Sequence, residues 1–219
     1  MTRLVPLFPL DSVLLPQTQL PFHVFEPRYR AMLADALSGE RLIGLHTLDP
    51  SGGLSAEGRP ALLAYGCAGE VVEHEPLPDG RSNVVLRGRF RYRIASERAG
   101  RAYRLAEVEE APARPLPQGR EAEPGRRELR RLLSRSVERL AGSVGRSEAS
   151  RLPASLSDEG LVNEAASRLG LGSGERYELL AMDDLVERYA WVLDHVRSLQ
   201  MRVDLLAPFR RGGLDPRWN

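Results

Sequence analysis

The chain has 219 residues, a formal net charge of +1, 42% apolar residues and 28% charged residues, proportions ordinary for a soluble globular protein of one large or two modest domains. No global field of either sign draws it toward nucleic acid or membrane, and its single cysteine, Cys67, excludes an internal disulfide framework and a cysteine-built zinc site. All 31 basic residues are arginine, which excludes the lysine-dependent chemistries of a Walker A loop, a Ser–Lys dyad and a pyridoxal Schiff base.

The N-terminal run MTRLVPLFPLDSVLLP is apolar but broken by Pro6, Pro9 and Asp11. It lacks the continuous apolar stretch of a signal peptide, and nothing in the chain approaches the roughly 20 apolar residues of a membrane span, so a cytoplasmic location without membrane contact is expected. The first half reads mainly as strands: RLVPLFPL, LIGLHTL, ALLAYGCAGEVVEHE, SNVVLRGRFRYRIASE and RAYRLAEVEE are apolar or alternating runs between turn signals. Pro78-Asp79-Gly80 is a turn that predicts a hairpin between its flanking runs.

Within this half, 27–38 predicts a helix. Tyr29, Met32, Leu33, Ala36 and Leu37 form one apolar stripe, Pro27 suits the first helical position, and Gly39 supplies the stop. Residues 111–125, with four prolines and two glycines, read as a linker. Helical spacing follows: Leu129, Leu132, Leu133, Val137 and Leu140 make a stripe in 126–141, and a second helix runs from Ser157, its N-cap, to Leu169. The glycines at 170, 172 and 174 read as a helix stop and turn. Leu185, Tyr189, Val192, Val196, Leu199, Val203 and Leu206 then form a heptad seam, with Asp184 and Glu187 as a capping pair and Pro208 as its end. That seam suits packing within its own helical domain, with a homodimer surface as the alternative to a monomer. The expected organisation is a β domain over 1–111, a linker over 112–125, an α-helical bundle over 126–207 and a tail over 208–219.

The segment LFPLDSVLLPQTQLPFHVFEPRYRAMLADAL, followed by LIGL, YGCAGEV and LRGRFRYRI, resembles the N-terminal substrate-binding domain of Lon proteases. ERYELLAMDDLVERYAWVLDHV is similar to the helical segment that follows in that family. The resemblance implies an α+β fold, a PUA-like β pseudo-barrel followed by an α-helical bundle. It looks like the stand-alone bacterial form, without the ATPase and peptidase domains. It implies a non-catalytic module that binds unfolded or exposed polypeptide segments, as an adaptor in proteolysis or quality control that works beside a protease or chaperone.

The crowded stretch His23-Val24-Phe25-Glu26-Pro27-Arg28 reads as a structural corner rather than a reactive centre. Glu26 stands where a carboxylate caps a helix, Arg28 pairs with it, Phe22 faces away from His23, and Phe25 shares the face of His23. His23, His46, His74 and His195 show no ligand spacing, and Cys67 lies in an apolar strand, so neither a metal nor a cofactor is expected. Arg87, Arg89, Arg91 and Arg93 alternate with Gly88, Phe90, Tyr92 and Ile94, which predicts a row of arginines about 6.6 Å apart on one strand face. RNA binding along that row is the second functional reading. Against it stand the nearby glutamates 70, 73, 75, 107, 109 and 110, and the absence of an aromatic platform on the arginine face. The candidate binding residues are Phe22, His23, Phe25, Arg28, Arg89 and Arg91, with Glu26 and Pro27 holding the corner.

Overall fold

A computed structural model describes residues 2–54, 58–143, 151–153 and 155–211, with the side chains of 207–211 excepted. The chain forms two compact units: residues through Arg114 together with Gly170–Asp183, and Pro115–Leu169 together with the chain from Asp184 onward.

The first unit is built on six strands, β1 (Thr2–Leu10), β2 (Gln19–Val24), β3 (Leu42–Leu48), β4 (Leu62–Pro76), β5 (Ser82–Arg98) and β6 (Arg104–Glu110), with helix α1 (Pro27–Ser38) between β2 and β3. Their order is β2-β5-β4-β3-β1-β6, and β5 pairs with β6 as well. The β1–β3 pair is parallel and the others antiparallel. The extra pairing closes β5, β4, β3, β1 and β6 into a ring and leaves β2 outside it. Strand β5 makes this possible by its length: Ser82–Arg87 pair with β2, and residues from Tyr92 onward pair with β6. Closure removes most of the unpaired strand edges that an open sheet would expose.

Inside the ring, Val5, Leu7, Ala68, Tyr92, Ala106 and Val108 form the core. A Cβ on Gly44 or Gly66 would lie 2.6 Å from the Tyr92 hydroxyl. Gly88 meets a similar demand from the other side, since a Cβ there would lie 2.2 Å from the Leu15 carbonyl oxygen. The chain crosses β5 at that point, with Gln17 N–H donating to Gly88 O at 2.8 Å and Gly88 N–H donating to Thr18 O at 2.9 Å.

Helix α1 has the bounds its stripe predicts, with Tyr29, Met32, Leu33 and Ala36 buried, Pro27 in the first turn and Gly39 at the C-cap. The hairpin around Pro78–Gly80 pairs Pro76 with Ser82 and Glu75 with Asn83.

The second unit holds α2 (Glu123–Ser143), α3 (Asp158–Ser167) and α5 (Leu185–Arg211), whereas α4 (Ser173–Ala181) belongs to the first. Ser157 caps α3 as expected, its hydroxyl accepting from Gly160 N–H at 3.0 Å. Asp158 is clamped by Arg126 and Arg130, each 2.7 Å from one carboxylate oxygen. Along the heptad seam Leu185, Tyr189, Val192 and Val196 are buried, Leu199 and Val203 are half-buried, and Leu206 is exposed.

Some bounds differ from the sequence reading. Gly170–Asp183, expected within the bundle, packs with the β unit, and its helix α4 begins at Ser173 inside the glycine stretch that reads as a stop and turn. Helix α5 continues past Pro208 to Arg211. Of the expected tail over 208–219, residues 212–219 lie outside the described residues.

Candidate functional site

Strand β2 pairs only with β5 among the described residues, so its other edge is open. Register across β2, β5 and β4 sets the neighbouring side chains. His23 lies opposite Asn83, which lies opposite Glu75; Phe22 lies opposite Val84, which lies opposite His74. Adjacent rows face opposite sides of a sheet. Phe22 accordingly turns toward the interior and packs on Phe8 with ring centroids 5.7 Å apart, while Phe8 also meets Tyr29 at 4.6 Å.

The exposed row forms a directed hydrogen-bond chain. Arg81 Nη1 donates to His23 Nε2 at 3.3 Å, His23 Nδ1–H donates to Asn83 Oδ1 at 2.8 Å, and Asn83 Nδ2 donates to Glu75 at 2.8 Å. With a guanidinium donor on Nε2 and an amide oxygen on Nδ1, the ring donates through Nδ1–H and accepts at Nε2. A cleft of about 580 Å³ follows these strands, lined by Pro21, Phe22, His23, His74, Asn83 and Val85 among others. Phe25 stands beside it, 58% exposed, its ring within 24° of parallel to His23 and 6.1 Å from it. An exposed aromatic next to polar groups already tied to one another suits adhesion more than proton transfer.

The corner is held differently from the expectation. Glu26 occupies the N-cap position, but its side chain makes no bond to the helix N–H groups. It accepts instead from Arg28, whose Nε and Nη2 both lie 2.9 Å from Oε2. Arg28 also stacks over Tyr29 at 4.5 Å. The pairing with Arg28 is as read from the sequence; the capping bond is not made.

The arginine row is interrupted. Arg89 sits at a bulge, unmatched between the Ala68–Phe90 and Gly69–Gly88 pairs, and is 3.2 Å from Glu70. Arg91 lies on the face opposite Tyr92, as alternation requires, but α4 covers that face and the residue is only 3% exposed. Its Nη1 donates to the carbonyls of Leu180 at 2.9 Å and Met182 at 3.0 Å, its Nη2 to Asp183 at 2.6 Å, and its Nε to Ala111 O at 2.6 Å. A guanidinium thereby satisfies the orphan carbonyls at a helix C-terminus and meets the negative end of its dipole. The hydrogen bond from Arg91 is the main cause holding Asp183 below the usual carboxylate range. Tyr65 completes the cluster, with Arg91 and Arg93 each 4.4 Å from its ring centroid and its hydroxyl donating to Asp183 at 3.1 Å.

Of the candidate residues, His23 lines the cleft with Phe25 stacked beside it, while Phe22 borders the cleft but packs its ring inward on Phe8. Arg28 lines a different one, Arg89 is paired at the surface, and Arg91 is interior. The sequence reading names His74 and Glu75 only in other roles and does not name Asn83 as a site residue. Counting outward from the Pro78–Gly80 turn places Asn83 opposite Glu75, so that signal was present.

Solved structures that share this fold include two Lon N-terminal domains. The N-terminal domain of the Lon protease from Mycobacterium avium complex superposes with a TM-score of 0.65 at 19% identity, covering 89% of this chain and 98% of that one. The Lon N-terminal domain protein from Xanthomonas campestris gives 0.59 at 26% identity, covering 88% of this chain and 98% of that one. The family model for the substrate-binding domain of ATP-dependent protease La (LON) matches residues 4–198. With its closed strand ring and trailing helices, the chain belongs to the LON substrate-binding domain family.

Proposed function

We propose that the protein recognises exposed or unfolded polypeptide segments, as a non-catalytic adaptor that delivers them for proteolysis or quality control. The family supports a substrate-recognition role in proteolysis. The observation that carries the reading to this surface is Phe25, 58% exposed beside the cleft and at the end of an open strand edge. An extended segment would run along β2 and lay an apolar side chain against Phe25 and His23. Pro21, with no N–H for a ladder, blunts that edge against indiscriminate pairing, so the side chains around it carry the selectivity.

RNA binding through the arginine row is disfavoured by geometry. Arg91 is buried and Arg89 is paired with Glu70, so no run of evenly spaced cations faces solvent.

Fluorescence anisotropy with a permanently unfolded protein tests the reading. Phe25→Ala should weaken binding several-fold with an unchanged melting temperature, and the affinity should persist at high salt. Equal binding by parent and variant moves the contact elsewhere; tight, salt-sensitive RNA binding with no affinity for the unfolded protein overturns the reading.

A further inference from the structure

The cleft beside Phe25 is one-sided in charge: two carboxylates, Glu73 and Glu75, line it, and no arginine does. Both residues are exposed and share one face with Val85 and Asn83, since Glu73 lies opposite Val85 and Glu75 opposite Asn83. Across β5 these rows continue into β2 as Pro21 and His23. One row, Glu75–Asn83–His23, is tied by hydrogen bonds; the other, Glu73–Val85–Pro21, has an apolar floor that ends at a carboxylate.

Neither carboxylate meets a cation among the described residues. Glu73 makes no hydrogen bond or ion pair there, and Glu75 accepts only from the neutral Asn83 amide, at 2.8 Å. Other glutamates on the strands of this unit are answered: Glu70 by Arg89, Glu97 by Arg104 and Glu107 by Arg98. Arg81 at the rim holds Asp79 at 2.6 Å, and Arg87 falls in the next row, opposite Gln19 and Glu70, outside the cleft lining.

A metal ion fits this pair poorly. The two carboxylates stand in successive rows roughly 6.6 Å apart along the strand, and among the described residues no three His, Cys, Asp or Glu side chains gather as metal ligands. A side-chain cation fits better. Strand β4 lies two strand spacings, about 9.6 Å, from β2, so a cation carried by a segment lying along β2 needs a long stem. Arginine and lysine have one, and its methylenes would rest on Val85 while the head reaches Glu73. In an extended chain the side chains facing the sheet recur at every second residue, in step with the rows of Phe25, His23 and Pro21.

We propose that the cleft selects extended segments in which an apolar residue and an arginine or lysine lie two or four positions apart, the apolar side chain on Phe25 and the cation at Glu75 or Glu73. The inference rests on the polypeptide-recognition reading and names the segments selected. The apolar contact supplies affinity that salt does not screen, and the carboxylates supply the preference through charge-assisted hydrogen bonds.

The full chain is titrated into three labelled peptides by fluorescence anisotropy: a Gly-Ser sequence containing Phe-Ser-Arg-Ser-Arg, and the same sequence with both arginines replaced by glutamine or by glutamate. The arginine peptide should bind about tenfold more tightly than the glutamine peptide, the scale of one charge-assisted hydrogen bond, and the glutamate peptide should bind most weakly. High salt should shrink the arginine advantage and leave the affinity of the glutamine peptide in place. Glu73→Gln, which breaks no hydrogen bond or ion pair among the described residues, should reduce the advantage with an unchanged melting temperature, and Glu73→Arg should reduce it further. Glu107→Gln should leave it unchanged, which separates the cleft from overall charge. Equal binding of the arginine and glutamine peptides by the parent overturns the proposal, as does an advantage that both Glu73 variants retain in full. If the three peptides fail to bind while the unfolded protein binds, this proposal falls and the recognition reading stands. If the unfolded protein fails too, both fall.

Discussion

Arg91 reaches out of the middle of β5 to Asp183, its Nη2 donating to Oδ1 at 2.6 Å, across a separation of 92 residues in sequence. The same guanidinium donates to the carbonyls that end α4. Its role is to hold that helix to the strand ring, and the neighbouring Arg89 has no such role.

The two arginines therefore separate in a stability measurement. Arg91→Gln leaves the Leu180 and Met182 carbonyls without their charged donor and should cost about 2–3 kcal/mol. Arg89→Gln removes only an exposed pair with Glu70 and should stay within about 0.5 kcal/mol of the parent. Urea denaturation of both variants checks this; similar losses would show that Arg91 is not the anchor.

His46 is buried, with Nε2–H donating to Leu63 O at 2.6 Å and Nδ1 accepting from the Tyr92 hydroxyl at 3.1 Å. Burial lowers its pKa below the ordinary 6.5 in the folded state. Between the folded and unfolded values the unfolded chain binds more protons, so stability rises with pH in that window. His46 should therefore contribute full stability above about pH 6.5 and lose it as the pH falls toward its folded pKa. In unfolding curves recorded from pH 7.5 to 5, His46→Gln should flatten that slope relative to the parent. An identical slope would remove His46 as its source.

Gly66 faces Tyr92 and His46 so closely that an added Cβ would lie 2.5 Å from His46 Nδ1. Gly66→Ala should destabilise the β unit by about 2–3 kcal/mol through overpacking of the ring interior. Gly119→Ala provides a contrast: its positive φ makes any side chain costly, but nothing lies within 4 Å of the new Cβ. A smaller loss for Gly119→Ala in thermal melts separates crowding from backbone strain.

Glu26→Ala distinguishes a true cap from an exposed ion pair. A lost side-chain cap costs about 1 kcal/mol, but among the described residues the Glu26 carboxylate bonds only to Arg28, whose side chain is 53% exposed. The expected loss is at most about 0.5 kcal/mol. A larger loss with α1 specifically loosened in hydrogen exchange would restore the capping role.

Much of the fold was legible in local pattern. The stripe through Tyr29, Met32, Leu33 and Ala36, opened by Pro27 and stopped by Gly39, contains the whole of α1, because helix periodicity and terminal chemistry act within a few residues. The Pro78–Gly80 turn likewise sets the β4–β5 register, and with it the Asn83–Glu75 row of the candidate site. Alternation in β5 correctly put Arg91 on the face opposite Tyr92. Whether that face met water was decided elsewhere. Its cover, α4, returns from beyond residue 169, and nothing near Arg91 signals a partner so distant. The same limit applies to Glu26, whose position suits a cap while the adjacent Arg28 takes its carboxylate. Local sequence determined the elements and which way their side chains point. Tertiary packing decided which faces were covered and which charges met, since burial and pairing depend on segments that only the folded chain brings together.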